Sequence, residues 1–349
     1  MPATLSSVAA HAGVSTSTAS RALSGHPAVL PATRARVLAA AQELRYQPNR
    51  MASALRTNRS GLLGLVVNNL RTATFHVFAE TLQAWAREHG YQLLVCPTGG
   101  DPEREAAFLQ TVRAHSFDGV VVAGSGANGD LVNRLLDEGR AVVTMNCEVP
   151  GSRAPSVMAD YEAASRLAAE HLLALGHTRI AAIEGPADVT SGRAHHAGLT
   201  GALAAAGVAL DPALVQRGSF DWFFGRDAAQ TLLAVPEPPT ALLVSNHEAS
   251  FGVLPVLADR GLRVPEDLSL ICTEEEPFFT WWSPPLTTVD NRAADQARRA
   301  AELLLGQLAG ADEPGAQAEL VTPRLVQRGS TGPPRTRPGR PAAARHRVS

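Results

Sequence analysis

Residues 4–59 read TLSSVAAHAGVSTSTASRALSGHPAVLPATRARVLAAAQELRYQPNRMASALRTNR, and this stretch decides what the rest of the chain serves. Leu5, Val8, Ala9 and Ala12 fall at i, i+3, i+4, i+7, one face of a helix with Thr4 as its N-cap. Gly13 supplies a tight turn, and Ser15 is placed to cap a second helix with inner residues Ala19, Ala22 and Leu23. Gly25 closes that helix. Pro31 suits the first turn of a third, expected to bury Val37, Leu38, Ala41 and Leu44. Two short helices across a glycine turn, followed by a longer one, make a helix-turn-helix unit. In such a unit the second helix enters the major groove and its early residues face base edges. Those are Thr16 and Ser17, with Arg21 one turn on. Arg holds guanine through two hydrogen bonds, while Ser and Thr hydroxyls pair with donors or acceptors. Ser15, Ser20 and Thr33 are placed for phosphates, and Thr4 and Thr18 complete the candidate DNA surface. The competing reading is a plain three-helix bundle with a solvated basic face.

Charge separates this head from the rest of the chain. The first sixty residues hold seven arginines (21, 34, 36, 45, 50, 56, 59) and one acid, Glu43, on a chain whose formal charge is −2. A basic head on an acidic body points to a polyanionic partner for the head and a different task for the body. At 349 residues there is room for one or two larger domains, and all 31 basic residues are arginine. No basic-then-apolar leader opens the sequence, and no apolar run approaches the ~18 residues of a membrane span. Cytoplasm is the expected compartment and no membrane partner is expected. Three cysteines (96, 147, 272), odd in number and far apart, indicate neither a disulfide framework nor a zinc site. Neither a metal nor a cofactor is expected.

From Leu62 onward, apolar runs alternate with helical patterns. Strands are predicted at 62–67, 91–96, 118–123 and 141–146, then in a second series at 179–184, 214–220, 240–245 and 268–272. Continuous apolar strands separated by helices mean parallel sheets covered on both faces. Two such series, joined at Ser156–Asp160, predict two similar α/β lobes. LTTV (286–289), a helix over 291–309 and ELVTPRLVQ (319–327) would cross back between them. The segment after Thr331, GPPRTRPGRPAAARHRVS, carries five arginines and no acids. Its composition cannot build a core, so 331–349 reads as a disordered tail, or less readily as one that clings to DNA.

These residues resemble the lactose-repressor/galactose-repressor (LacI/GalR) family. The run V-A-x-x-A-G-V-S-x-S-T-x-S-R-x-L-x-G-H-P-x-V, then T-R-x-R-V-x-x-A-A-x-E-L-x-Y-x-P-N, carries the likeness in the head. GYQLLV, DPERE, FDGVVVA, AAEHLLALGHTRIAAIEGP, PPTALLVSN, GLRVPEDLSLI and PPLTTV extend it to about Ser330. The resemblance implies a hinge helix after the head, with Asn49, Ala52 and Leu55 at the DNA and Leu55 as a minor-groove wedge. Too short to hold a helix alone, that segment is expected to fold only on DNA beside a partner hinge. Ser24 stands where the family often has Asn, and Leu30, Pro31 and Ala32 stand where it has Ser and acids.

The fold so implied is α/β: an N-terminal all-α helix-turn-helix domain plus a periplasmic-binding-protein-like body of two doubly wound parallel-sheet lobes. Boundaries are drawn at 1–45 for the head and 46–59 for the hinge. The first lobe takes 60–157 and 287–316, and the second takes 158–286 and 317–330. Carried over by position, the effector cleft comprises Asn69, Phe75 and Asn146 from the first lobe. From the second come Arg193, His195, Phe220, Trp222, Asn246, His247 and Glu274. Phe220 and Trp222 are expected to stack on a sugar or planar ring. Asn146 replaces the family's usual Asp, His195 its clamping Arg, and Asn246-His247 its Asn-Asp pair. Cys272-Thr273-Glu274-Glu275 replaces its Gly-Phe-Asp-Asp run. Losing those charged groups puts a simple hexose in doubt, and the two histidines are expected to make binding depend on pH.

Rival readings come from single motifs. Gly124-Ser-Gly126-Ala-Asn-Gly129 fits G-x-G-x-x-G after a strand, with Glu148 at the spacing of a ribose-binding acid, which allows a dinucleotide-binding enzyme. Asp130 at the start of the following helix opposes it, since a pyrophosphate would approach there. His195 and His196 point about 100° apart on a helix and cannot share a metal. An effector-independent DNA-binding regulator with a degenerate cleft is the other alternative. The reading adopted is a homodimeric regulator, a repressor rather than an enzyme, acting on near-palindromic double-stranded operator DNA under control of a small-molecule effector.

Overall fold

The computed structural model describes residues 3–46, 59–311 and 318–335. The hinge residues Asn49, Ala52 and Leu55 lie outside them, as do 336–349. The chain divides into two compact units, Met1–Gly61 and Leu62–Ser349.

The first unit is three helices, α1 (Leu5–His11), α2 (Thr16–Leu23) and α3 (Pro31–Glu43). Thr4 and Ser7 cap α1 reciprocally, side chain to backbone in both directions. The Ser15 hydroxyl accepts from Thr18 N at 3.1 Å and so fixes the start of α2. Val8, Ala9, Ala19, Ala22, Val37 and Ala41 form the core as the spacing predicts, and Val29 and Ala40 join them. Leu38 departs from expectation. It is 49% exposed, because on α3 the inward stripe runs through Val37, Ala40 and Ala41 and leaves position 38 on the flank.

The second unit contains two six-stranded sheets. In chain order its elements are β1 (Leu62–Val67), α4 (Ala73–Glu88), β2 (Gln92–Pro97), α5 (Pro102–Ala114), β3 (Gly119–Ala123), α6 (Gly129–Asp137), β4 (Ala141–Met145) and β5 (Ser156–Ala159). Next come α7 (Tyr161–Ala174), β6 (Ile180–Glu184), α8 (Thr190–Ala205), β7 (Val215–Arg217), α9 (Trp222–Leu232), β8 (Ala241–Val244), α10 (His247–Asp259) and β9 (Ser269–Cys272). The last are β10 (Thr287–Asp290), α11 (Ala293–Leu308), β11 (Ala318–Val321) and β12 (Arg324–Val326). Sheet order is β11-β5-β4-β3-β1-β2 in the first lobe and β12-β10-β9-β8-β6-β7 in the second. Among the described residues every pairing is parallel except β10 with β12. β3, β4, β6, β8 and β9 are buried along their whole length, which is why they read as unbroken apolar runs. Each sheet is covered on both faces. Phe78, Leu82 and Leu304 pack on one side of the first, and Leu109, Val112 and Leu135 on the other. In the second, Leu232, Val253 and Phe279 oppose Leu172, Leu199 and Leu203.

The lobe boundaries differ from those drawn on the sequence. Residues 156–159, read as the junction, form β5 of the first sheet, where pairing with β4 and with the distant β11 holds them, a partnership that nothing local in the sequence marks. β10, assigned to the first lobe, pairs with β9 in the second sheet, while α11 crosses to pack Ala297, Ala301 and Leu304 in the first lobe's core. β11, assigned to the second lobe, pairs with β5 in the first. The chain therefore passes between lobes three times, after β5, β10 and β11.

The tail reading is also corrected at its start. Thr331 Oγ1 meets His171 Nε2 at 2.8 Å, and the Gly332 carbonyl accepts from His177 Nε2 at 2.8 Å and Ser269 Oγ at 3.0 Å. Arg335 pairs with Asp267 at 2.5 Å. Composition misleads here because these backbone groups find fixed partners on the second lobe.

Candidate functional site

The head offers one exposed surface with few chemistries on it. Thr16, Ser17 and Arg21 project from α2 into solvent, as their spacing predicts. Ser15 is partly spent on structure: its hydroxyl holds Thr18 N and contacts the hydroxyls of Ser17 and Thr18 at 2.9 and 2.8 Å. Thr4 is spent the same way at α1, and Thr33 and Ser20 are half-buried. Arg34 is partly committed to structure, its Nη2 donating to the carbonyls of Gly25 at 3.1 Å and His26 at 2.7 Å. It ties α3 to the turn that closes α2.

The body holds a cavity of about 510 Å³ between its lobes, at the carboxyl ends of the strands, well within the size that takes a small molecule. Eight of the ten cleft candidates line it: Asn69, Phe75, Asn146, Arg193, His195, Phe220, Asn246 and Glu274. Trp222 does not. As the first residue of α9 after its Asp221 cap, its ring turns outward, 44% exposed and 4.2 Å from Phe223. His247 lies behind the wall instead of in it.

Glu274 is the charged floor of the cleft. Its Oε2 accepts from His247 N at 3.0 Å and from His247 Nδ1 at 2.5 Å, leaving Oε1 with only a long contact to Thr74 Oγ1 at 3.5 Å. Burial alone would raise the Glu274 pKa, but the charge and hydrogen bond of His247 hold it below the ordinary carboxylate value. Burial likewise works against a charged His247, and Glu274, Glu276 and Glu248 overcome it and raise its pKa. The helix α10 begins at His247, so its amino end adds to the field that favours an anion there.

His195 behaves differently. Its Nδ1 meets Ser165 Oγ at 2.8 Å in a fully enclosed site, and burial drives its pKa down to about 4. It is a neutral imidazole from pH 5.5 to 8, so of the two expected pH-sensing histidines His247, whose pKa is raised, is the one left to change charge above pH 6.5. A raised folded pKa means that His247 stabilises the fold fully below its ordinary value near 6.5 and loses that contribution as pH climbs through the raised value. In His247→Gln, an amide that still donates to Glu274, the fall in Tm from pH 6.5 upward is expected to flatten; an unchanged Tm–pH curve contradicts the assignment.

The other candidates divide between contact and support. Asn146 sits in the left-handed region at φ 66°, where Asn is tolerated, and its Oδ1 accepts from Tyr161 OH at 2.6 Å. That leaves its Nδ2 to donate into the cavity. Asn246 caps α10 through Ala249 N at 3.2 Å and donates to the Phe220 carbonyl at 2.9 Å, so its amide is consumed by structure. Asn69 Oδ1 accepts from Arg71 N and Thr72 N, both at 2.8 Å, and shapes the entry to α4. Phe220 owes its position to Gly185, where a Cβ would stand 2.1 Å from the ring. Arg193 reaches across the cleft to Glu148 Oε2 at 3.1 Å.

Sequence reasoning missed three residues. Tyr161 lines the cavity with its ring centroid 5.2 Å from that of His195. Glu248 accepts from Thr72 Oγ1 of the other lobe at 3.2 Å. Glu148, which the sequence offers only as a ribose partner, pairs with Arg193. Nothing but the fold brings residues 72, 148, 161 and 248 together. The glycine-rich loop of 124–129 has its own anion. Glu105, buried on α5, accepts from Ser125 N at 2.6 Å and Asn128 Nδ2 at 2.8 Å, and a Cβ on Gly124 would lie 1.9 Å from its carboxylate. A pyrophosphate would have to displace that carboxylate. His195 and His196 do turn apart, the latter to Glu184 Oε2 at 2.9 Å.

Comparison with known proteins agrees with both parts. The family described as bacterial regulatory proteins, lacI family, matches residues 4–49, and a periplasmic binding protein-like domain matches 169–331. The HTH-type transcriptional repressor CytR of Escherichia coli strain K12 is 32% identical over 332 residues, covering 94% of this chain and 96% of that one. The HTH-type transcriptional repressor PurR of Haemophilus influenzae strain PittEE is 29% identical, with 94% and 98% covered. Among solved structures, a Lac repressor dimer bound to operator and the anti-inducer ONPF superposes with a TM-score of 0.83 at 26% identity, covering 95% and 100%. A complex of the transcriptional regulator CelR with cellobiose gives 0.71 at 28%, covering 94% and 99%.

Proposed function

The chain belongs to the lacI family of bacterial regulatory proteins, and from that premise we propose that it is a repressor whose hold on operator DNA is set by a small hydroxylated molecule between its lobes. The observation that carries the proposal is Glu274, a carboxylate kept charged by a buried histidine with one oxygen turned to a 510 Å³ cavity. A charged acceptor of that kind serves ligand hydroxyls through charge-assisted bonds. Phe220 gives a sugar or base a flat face, and Asn146 Nδ2 adds a donor. Contacts already span the cleft at both rims, Glu148 with Arg193 and Thr72 with Glu248. A ligand that favours one lobe orientation over the other shifts the equilibrium by its difference in affinity for the two.

The assembly we propose is a dimer of this chain. The second lobe exposes a run of aromatic side chains: Trp281 at 77%, Phe223 at 54%, Trp222 at 44% and Phe278 at 41%. Phe251, Phe278 and Trp281 stack edge to face at 5.3 and 5.9 Å. Large aromatic anchors of this sort are what interface centres are made of, and a lone soluble chain rarely leaves so many open. The Lac repressor relative is a dimer on its operator, which names a second copy as the occupant. Two heads then read two half-sites. Work on operator DNA supports a cytoplasmic location.

Base reading falls to α2. Arg21→Ala is expected to cost about 1–3 kcal/mol at one operator position and to relax the choice of base there, as measured by binding to a set of singly substituted duplexes. Equal weakening on every duplex would place Arg21 on a phosphate. The proposal as a whole is tested by a thermal-shift screen of sugars, nucleosides and small acids, followed by operator binding with each hit. A stabilising ligand should change operator affinity, and its effect should vanish in Phe220→Ala.

A further inference from the structure

Behind the cleft lies a second chamber of about 420 Å³. Thr74 and Glu274 line both cavities, and Thr74 Oγ1 meets Glu274 Oε1 at 3.5 Å. The two chambers differ in their cations: Arg193 is the arginine on the front lining, while the rear one has Arg292, Arg298 and Arg324, with side chains 44%, 61% and 70% exposed. In the front one, Glu148 is balanced by Arg193 and Glu274 by His247, which leaves Glu248 and Asp188 in excess. In the rear one, Glu275 is balanced by Arg328 at 2.6 Å, and three arginines, 292, 298 and 324, face two aspartates, 290 and 295.

The sharing among those five is uneven. Arg324 pairs with Asp290 at 3.0 Å, but Arg292 and Arg298 both draw on Asp295. One carboxylate cannot satisfy two guanidinium forks, so donors remain at the chamber's edge in the planar geometry that suits an oxyanion. Arg292 is held there in a left-handed backbone conformation, φ 55° and ψ 51°, at the start of α11 with no side-chain cap. A non-glycine residue kept in that region marks a place where conformation is set by something other than local preference. Asn291 supplies the last feature. It is 7% exposed, lines the chamber and donates to the Thr273 carbonyl at 2.8 Å, while its Oδ1 has no hydrogen-bond partner among the described residues. A buried acceptor left open calls for a donor such as a hydroxyl.

We infer that the rear chamber receives an oxyanion, a phosphate or a carboxylate with a neighbouring hydroxyl, carried by the same molecule whose uncharged hydroxylated part occupies the front chamber. This rests on the effector reading of the front cleft and narrows it to an acidic derivative, such as a sugar phosphate or sugar acid. The oxyanion bridges Arg292 and Arg298, its hydroxyl donates to Asn291 Oδ1, and the molecule passes between Thr74 and Glu274.

Matched probes on the full chain test it, by thermal shift at constant ionic strength. The set is ribose with ribose 5-phosphate, glucose with glucose 6-phosphate and gluconate, and inorganic phosphate or acetate alone and mixed with the neutral sugars. A molecule spanning both chambers should act at a concentration at least about tenfold lower than its neutral parent mixed with free phosphate, because linkage makes the second contact intramolecular. Arg298→Gln should abolish that gain while leaving the response to the neutral sugar intact. Gluconate matching glucose 6-phosphate assigns the site to carboxylates as well. The inference is overturned if the acidic probes do no better than their parents, if their gain survives in Arg298→Gln, or if free phosphate alone gives the whole effect. A phosphate response lost in Arg298→Gln but untouched by Phe220→Ala, with no sugar acting at all, fails the front-cleft reading. Absence of any anion response fails the rear site.

Discussion

Trp281→Asp is expected to yield a folded monomer that has lost its operator. The side chain is 77% exposed in the isolated chain, so its replacement removes little from the monomer's core. In the dimer proposed above the same ring belongs to the interface, and truncating an aromatic anchor of that kind costs about 2–4 kcal/mol. A two-fold interface counts each substitution twice, and the new carboxylates would be buried without partners, so the penalty reaches about 4–8 kcal/mol. Light scattering should report the mass of one chain, 36.7 kDa, at concentrations where the parent gives twice that. Operator affinity should fall by about 10²–10⁴-fold, the advantage that joining two heads confers. Far-ultraviolet circular dichroism should match the parent. A variant that stays dimeric and binds operator normally would move the interface elsewhere.

Glu274→Ala is the second large effect, and it has two readouts. Ligand affinity should fall by about 10–100-fold, the worth of a hydrogen bond to a charged acceptor. Stability should fall as well, because His247 loses the carboxylate that keeps it charged; breaking one side of a buried ion pair costs about 3 kcal/mol. The pH dependence fixes the cause. The Glu274 contribution is present above the ordinary carboxylate value of 4.5, and that of His247 below 6.5. The deficit in Tm relative to the parent should therefore be widest between those values and shrink above pH 6.5 as His247 loses its proton in the parent too. A deficit that is flat from pH 5 to 8.5 would mean that Glu274 acts through packing alone.

Much of this architecture is legible in the amino-acid sequence alone. The head is readable because its helices are short, local and punctuated by Gly13, Gly25 and Pro31, so that spacing and caps speak directly. The strands of the body are readable because burial on both faces leaves unbroken apolar runs. Lobe membership is harder. β11 pairs with β5, far back in the sequence, while β10 pairs with the strand just before it and the helix that follows packs in the other lobe; no local pattern says which sheet a four-residue strand joins. Of the ten cleft residues that the family resemblance implies, eight line the cavity. Trp222 and His247 are not on that lining: the first side chain of a helix turns outward at Trp222, and the His247 ring is turned to Glu274. That set of ten also misses Tyr161 and Glu248, which matter only because the lobes face each other.

In the function proposed above, occupancy of the cleft sets the grip of the head on its operator. The most direct test of that link begins by selecting the operator from a random duplex pool with the full-length chain. Fluorescence anisotropy then gives the Kd for that duplex across a titration of the strongest stabilising ligand, in the parent chain and in Glu274→Ala. At least a roughly fivefold change in operator Kd is expected at saturating ligand, and in Glu274→Ala the same titration should be displaced to about 10–100-fold higher ligand, because that substitution removes the acceptor. An operator Kd that stays constant while the ligand demonstrably occupies the cleft would contradict that link.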